Sequence, residues 1–153
     1  MAGGGARGFA HLGVVSALFE KDIEFDFIGG TSAGAIMGSF LAMGATEETL
    51  LKHSRGLFVD SPVGNISGDY NALPLISILK GGRARSAANN GVMMFAGHDL
   101  DMEDAWKTFF VVASNFSTQS EHVLTHGNLA RNVLASFAIP GLMPPIIIDR
   151  HLM

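Results

Sequence analysis

The side chain with the clearest chemical potential is the hydroxyl of Ser32, which stands among small neighbours in the stretch FIGGTSAGA. Residues 30–34 read GTSAG and match the pattern G-x-S-x-G. This pattern is typical of a strained strand-to-helix bend that projects a nucleophilic serine outward, where larger neighbours would clash. The neighbours that would form the bend are Gly30, Thr31, Ala33 and Gly34. A plain glycine-rich turn with a capping serine is the alternative, but a strand before the motif and a helix after it favour the nucleophile.

A second glycine-rich stretch, GGGARG, opens a predicted helix near the start of the chain. Its residues are Gly3, Gly4, Gly5, Ala6, Arg7 and Gly8. The stretch satisfies G-x-G-x-x-G, but a dinucleotide loop also needs an acidic residue about 20 positions on, after a second strand. Asp22 falls in a turn and Asp26 enters the strand that leads to Ser32, so this fit is poor. The other interpretation is an oxyanion hole, whose backbone N–H donors are each worth about 3–4 kcal/mol in acyl transfer.

The elements that must position these two loops follow from hydrophobic spacing. Helices are predicted over 6–21, 33–43, 46–57 and 128–137, and strands over 25–28, 107–113 and 121–125. Residues 59–71 are predicted to form a loop, 73–79 and 86–95 further helices, and 144–153 a strand, a turn and the start of a return strand. Alternating helices and buried strands indicate a single α/β layered domain over residues 1–153.

Composition excludes several classes of function. A net charge of −4 with only 10 Lys and Arg argues against nucleic acid as a partner, since phosphate binding needs concentrated positive charge. The chain has no cysteine, which excludes disulfides, zinc thiolate sites and cysteine nucleophiles. No apolar run approaches the roughly 20 residues that span a bilayer, and the first residues lack a secretory signal. We therefore expect a cytoplasmic protein, with association at a membrane surface left open.

GGGARG followed by GTSAG resembles the patatin-like phospholipase family, in its neuropathy-target-esterase-type and bacterial branch. The segments GFAHLGVVSAL, DYNALPLISILKGG and ASFAIPGLMPP extend the resemblance over nearly the whole chain. It implies an α/β domain, with a central, mostly parallel sheet flanked by helices, that hydrolyses acyl esters of phospholipid or lysophospholipid with a Ser–Asp dyad. Ser32 would then be the nucleophile, Gly4 and Gly5 would supply oxyanion N–H groups, and Arg7 would support the loop or face an anion. No metal or organic cofactor is implied.

The sequence departs from the family pattern at the general base. The family's catalytic aspartate lies in an Asp-Gly-Gly or Asp-Gly-Ala motif shortly after a segment like PGLMPPIIIDRHLM, and this sequence contains no Asp-Gly dipeptide. Asp149 corresponds to the turn before that motif. We therefore expect an interior fragment of a longer domain, truncated at both ends, with the aspartate beyond Met153. An unassisted serine is a weak nucleophile, so the 153 residues alone are expected to be nearly inert.

The remaining polar groups favour structural interpretations. Six histidines are present: His11, His53, His98, His122, His126 and His151. None forms a metal-ligand pattern, so we expect structural or surface roles, with a structural hydrogen bond for His11 and a Ser-His-Asp triad as the alternative. The acidic segment 99–104 predicts a solvated helix start. Met37 and Phe40 are predicted to be core residues, with a position bordering a fatty-acyl substrate as the alternative. The alternative function is a non-catalytic lipid- or nucleotide-binding module that keeps the glycine-rich loop without the chemistry.

Overall fold

The computed structural model describes residues 1–58, 100–140 and 145–153. In this part of the chain, short 3-10 helices span Gly5–Phe9 and Met102–Asp104. The α-helices are α1 (Ala10–Phe19), α2 (Ala33–Ala42), α3 (Glu47–Phe58) and α4 (Leu129–Phe137). The strands are β1 (Phe27–Gly30), β2 (Thr108–Asn115), β3 (Ser120–Leu124), β4 (Ile147–Ile148) and β5 (His151–Leu152). No helix among the described residues is long and apolar enough to cross a membrane.

The strands form a mixed sheet in the order β1-β2-β3 and a separate β4-β5 hairpin. β1 runs parallel to β2 with Gly30 opposite Val111, and β3 runs antiparallel to β2 with Leu124 opposite Val111. Parallel neighbours need a crossover between them, and β1 and β2 are far apart in sequence. This architecture confirms the predicted α/β fold class.

The elements predicted within the described residues are confirmed in kind, most with ends shifted by one or two residues, and the strand and the helix that flank the two glycine-rich stretches differ in a way that has a physical reason. The strand predicted over 25–28 begins at Phe27 and continues through Gly29 and Gly30, because the ladder with β2 extends over these glycines. Glycine has low strand propensity, but the bare position of Gly29 accommodates the ring of Phe110 from the neighbouring strand. The helix predicted from Ala6 begins as a 3-10 turn and becomes α-helical only at Ala10. The predictions over 59–71, 73–79 and 86–95 lie outside the described residues.

Helix α2 is the centre of the core, since all ten of its residues are buried. It packs against β1, β2, α3 and α4. Its small residues permit close approach: a Cβ at Gly38 would lie 2.9 Å from the ring of Phe109. Met37 and Phe40 are fully buried, which confirms their assignment to the core. Burial of a side chain of this size contributes about 1.5–3 kcal/mol.

Helix α4 is fixed at its start by polar contacts. Asn128 caps the helix through its Oδ1, which accepts the N–H of Arg131 at 2.9 Å. One turn on, the buried Asn132 donates its amide to the carbonyl of His126 at 2.8 Å. Side-chain caps of this kind stabilise a helix by about 1 kcal/mol. These bonds attach the start of α4 to the segment 126–128, while its buried residues pack against β2 and α2.

Candidate active site

Ser32 lies at a sharp bend between β1 and α2. The strand ends at Gly30, the helix begins at Ala33, and Ser32 is the N-cap residue with φ 53° and ψ −120°. A non-glycine residue in this region of backbone space costs about 1–3 kcal/mol and persists only where the surroundings enforce it. The side chain is partly exposed although the helix behind it is buried. Ser32 therefore combines a strained backbone with partial exposure, two features expected of a nucleophile at an elbow.

The surroundings that enforce this bend are crowded backbone groups. A Cβ at Gly30 would lie under 3.0 Å from the carbonyl of Gly34 and the N–H of Ala35. A Cβ at Gly34 would lie under 3.0 Å from the carbonyl of Met1. Both clashes involve main-chain atoms, which cannot rotate away as a flexible side chain could. The two outer glycines of the motif are thus required by packing.

The glycine-rich loop, residues 3–8, is shaped differently. Gly4 precedes the 3-10 helix and its carbonyl accepts the N–H of Arg7 at 3.1 Å. Gly5 has φ +54°, and a Cβ built there would meet nothing within 4 Å. Gly3, Gly4, Gly5 and Arg7 are exposed, Gly8 is buried, and Ala6 lies within the 3-10 helix. The loop therefore presents open backbone at its tip.

The glycine-rich loop and the bend around Ser32 meet at two places. A Cβ at Gly3 would lie 3.3 Å from the Cβ of Ser32, and one at Gly8 would lie 2.7 Å from the Cβ of Ala33. Since a Cα–Cβ bond is about 1.5 Å long, the Gly3 backbone lies within about 5 Å of the Ser32 side chain. The structure thus brings together the two stretches that sequence motifs single out, Gly3–Gly8 and Gly30–Gly34.

Two backbone hydrogen bonds attach the start of the chain to β1. The terminal amino group of Met1 donates to the carbonyl of Gly29 at 2.6 Å, and the Thr31 N–H donates to the carbonyl of Met1 at 3.1 Å. This is the bonding pattern of parallel neighbouring strands. The Nε2–H of His11 donates to the carbonyl of Ala2 at 2.8 Å, which confirms the structural hydrogen bond expected of this histidine. These contacts hold the glycine-rich loop beside the bend.

Within the described residues, the hydrogen bonds of Ser32 use its backbone groups. Its carbonyl accepts the N–H groups of Ala35 and Ile36 in the first turn of α2. Its N–H donates to the hydroxyl oxygen of Ser136 at 2.8 Å, and that hydroxyl donates to the carbonyl of Val112 at 2.6 Å. Because the N–H of Ser32 already has a partner, it is not free to bind an oxyanion. The glycine-rich loop is an adjacent source of backbone N–H groups.

The other polar residues singled out by sequence lie in structural positions. Asp149 occupies the β4-β5 turn together with Arg150, and both have positive φ. Asp101 and Asp104 form a reciprocal capping box, which confirms a helix start in the acidic segment. Among the described residues, no group of three His, Asp or Glu side chains is arranged to hold a metal ion.

The family model described as patatin-like phospholipase matches residues 1–153. The chain belongs to the patatin-like phospholipase family. An uncharacterized NTE family protein of Mycobacterium bovis is 36% identical over 146 residues, which cover 95% of this chain and 24% of the relative.

Two eukaryotic relatives extend the similarity. Patatin-like phospholipase domain-containing protein 7 of Mus musculus is 34% identical over 150 residues, covering 95% of this chain and 10% of the relative. Lysophospholipase nte1 of Emericella nidulans is 34% identical over 148 residues, covering 95% and 9%. This chain therefore spans a quarter or less of the length of the curated relatives it matches.

Ser136 contacts the candidate nucleophile but has no conspicuous signature of its own. It lies in the segment ASFAIPG, which contributes to the family resemblance without marking a role for the serine. Its contact with Ser32 spans 104 residues of sequence, so local pattern gives no indication of it. The local signal is only that Ser136 lies near the end of α4, four residues before Pro140, and serines in such positions are common.

Proposed function

We propose that the protein containing this chain is a serine lipid acyl hydrolase that acts on phospholipid or lysophospholipid at a membrane surface. Membership of the patatin-like phospholipase family and the lysophospholipase names of relatives support a lipid hydrolase. The single observation that carries the proposal for this chain is the partly exposed Ser32 at φ 53° beside the backbone of Gly3.

In the proposed reaction, Ser32 Oγ attacks the carbonyl carbon of the acyl ester while an aspartate accepts the serine proton. The carbonyl oxygen becomes an oxyanion, which the N–H groups of Gly4 and Gly5 stabilise. The aspartate then protonates the departing alcohol oxygen as the ester bond breaks and the acyl group stays on Ser32. Water attacks this acyl-enzyme, its proton passes to the aspartate and on to Ser32 Oγ, and the fatty acid leaves.

Two features of the fold would assist this reaction. The positive end of the α2 dipole lies at Ser32, where negative charge develops in the transition state. That helix is buried throughout, so its field is screened less than that of a surface helix. Arg7 is exposed on the glycine-rich loop and is suited to an anionic group such as a lipid phosphate. No metal or organic cofactor enters any step of the proposal.

The proposed general base is an aspartate in an Asp-Gly-Gly or Asp-Gly-Ala motif, which the 153 residues do not contain. Residues 1–153 alone should therefore hydrolyse esters about 10⁴-fold more slowly than the full-length natural protein, as expected when a base is lost. Comparable turnover by the two polypeptides, measured side by side on a nitrophenyl ester, would contradict this assignment of the base.

The direct test is hydrolysis of lysophosphatidylcholine by the full-length natural protein and its Ser32→Ala variant. We expect release of free fatty acid by the unmodified protein and a loss of at least about 10⁴-fold in the variant. Thr31→Ser is the matched control, because it alters an exposed neighbour in the same bend and should retain most activity. Full hydrolysis by Ser32→Ala would refute the proposal, and lipid binding without hydrolysis by either protein would favour the non-catalytic binding module.

A further inference from the structure

Two hydrogen bonds fix the direction in which the backbone groups of β1 point. Met1 bonds to the carbonyl of Gly29 and to the N–H of Thr31, so these odd-numbered residues face away from β2. Neighbouring residues of a strand direct their backbone groups to opposite sides. Ser32 is therefore the next residue after Gly30 whose N–H would face β2. Gly30 pairs with Val111. If the parallel pairing continued beyond Gly30, the N–H of Ser32 would donate to the carbonyl of Val112.

The hydroxyl of Ser136 lies between these two groups. It accepts the Ser32 N–H at 2.8 Å and donates to the carbonyl of Val112 at 2.6 Å. A serine hydroxyl has one donor and two acceptor lone pairs, so one side chain serves both groups. The direct hydrogen bond between Ser32 and Val112 is thus replaced by two hydrogen bonds through the side chain of Ser136 on α4.

The bridge through the Ser136 hydroxyl accounts for the position of the bend. Two hydrogen bonds in series hold Ser32 away from β2 by roughly one further hydrogen-bond length, about 2.7–3 Å, compared with a direct ladder bond. Ser32 can then leave the sheet with both its N–H and the Val112 carbonyl satisfied. Without the hydroxyl, the two groups would be left unpaired or would bond to each other and draw Ser32 toward β2. A direct bond would move the Ser32 side chain relative to Gly3, and two unpaired groups would leave the bend without the contact that fixes its position.

We propose that Ser136 is a positioning residue for the nucleophile, which holds Ser32 at the distance from β2 that hydrolysis requires. This role rests on the proposed function of Ser32. Ser136 acts through the backbone N–H of Ser32, to which its hydroxyl is bonded. A misplacement of a reacting group by about 1 Å reduces turnover by as much as 10²-fold.

The experiment uses the full-length natural protein and measures kcat and KM for lysophosphatidylcholine. For Ser136→Ala we expect kcat to fall about 10²-fold with KM within about twofold, because substrate binding does not use this hydroxyl. Ser136→Thr restores a hydroxyl and should recover most of kcat. Ser39→Ala is the matched control: it removes a buried hydroxyl that donates to a backbone carbonyl, that of Ile36 at 2.7 Å, away from the bend. Its kcat should stay close to that of the unmodified protein.

A kcat for Ser136→Ala within about twofold of the unmodified value would overturn the proposal. Equal losses of kcat in the Ala and Thr variants would also overturn it, because they would show that packing matters and the hydrogen bonds do not. If Ser136→Ala fails to fold, Ser136→Cys replaces it, since a thiol is a weak donor and acceptor. Its kcat should be reduced, and an unmodified kcat would overturn the role. Activity that survives Ser32→Ala would instead refute the proposed function, so the two failures are distinguishable.

Discussion

The bend around Ser32 and the glycine-rich loop are both rich in small residues, but the bend and the tip of the loop need them for opposite reasons. At the bend, Cβ atoms on Gly30 and Gly34 would strike backbone atoms at under 3.0 Å. At the tip of the loop, a Cβ on Gly5 would meet nothing, and what excludes other residues is its φ of +54°. At the bend the residues are small because there is no space for a Cβ atom. At the tip of the loop the residue is a glycine because the backbone there has a positive φ. Substitution should therefore damage stability at the bend and activity at the loop.

The largest effect is expected at the crowded bend. Gly30→Ala places a methyl group against the carbonyl of Gly34 and the N–H of Ala35, and neither can rotate away. We expect the free energy of unfolding to fall by about 3 kcal/mol or more, at the upper end of overpacking effects. Urea denaturation followed by circular dichroism measures this quantity.

Gly13→Ala is the matched control for this substitution. Gly13 is exposed in the middle of α1, and a Cβ there would meet nothing within 4 Å. Its replacement should raise the free energy of unfolding by about 0.5–1 kcal/mol, since glycine is a poor residue in a helix interior. Similar losses from Gly13→Ala and Gly30→Ala would contradict the explanation by crowding.

A smaller loss of stability with a larger loss of activity is expected at the loop. Gly5→Ala forces alanine into left-handed backbone space, which costs about 1–2 kcal/mol without any clash. If Gly5 supplies an oxyanion donor, kcat of the full-length protein should fall about 10²-fold as the loop relaxes. Unfolding and hydrolysis are to be measured on the same preparation. Unchanged kcat, or a stability loss as large as that of Gly30→Ala, would remove the distinction between the two regions.

The smallest effect is expected at a surface ion pair outside both regions, between Glu24 and Lys107 at 3.0 Å. The hydrogen bond from Lys107 and its positive charge hold the pKa of Glu24 below its usual range. A lowered folded-state pKa means that the pair stabilises the fold above the unfolded carboxyl's pKa and that this contribution disappears as pH falls through the folded value. Solvent screens the pair, so the contribution is small.

Glu24→Gln should therefore shift the urea midpoint less than Gly5→Ala at pH 7. The difference from the unmodified protein should shrink as the pH falls below about 4, where the unfolded carboxyl becomes protonated, and should vanish once the pH is also below the lower pKa of Glu24 in the folded state. A midpoint shift at pH 7 larger than that of Gly5→Ala would show that this contact matters more to the fold than the backbone of the loop.

Much of the fold follows from local pattern. β2 is predicted from its aromatic and branched residues, and α4 from the capping Asn128, because the signals for both lie within a few neighbouring residues. The extension of β1 over Gly29 and Gly30 cannot be predicted from local pattern. The strand conformation of these glycines depends on pairing with β2, about 80 residues away in sequence. Local propensity cannot supply information that lies in another strand.

The same division applies to the candidate site. The motifs around Ser32 and Gly3–Gly8 are short and contiguous, so both can be found without a structure. Their proximity, and the contact between Ser32 and Ser136, depend on how the chain packs over long sequence separations. Side-chain hydrogen bonds of this kind become visible only when α4, β2 and the bend are placed together.

The central claim is that Ser32 is the nucleophile. Its most direct test is covalent labelling of the full-length natural protein with a fluorophosphonate, followed by peptide mapping to locate the adduct. A single adduct on the peptide that contains Ser32, absent from the Ser32→Ala variant, is the expected result. Unchanged labelling of that variant, or an adduct only on another peptide, would contradict the account.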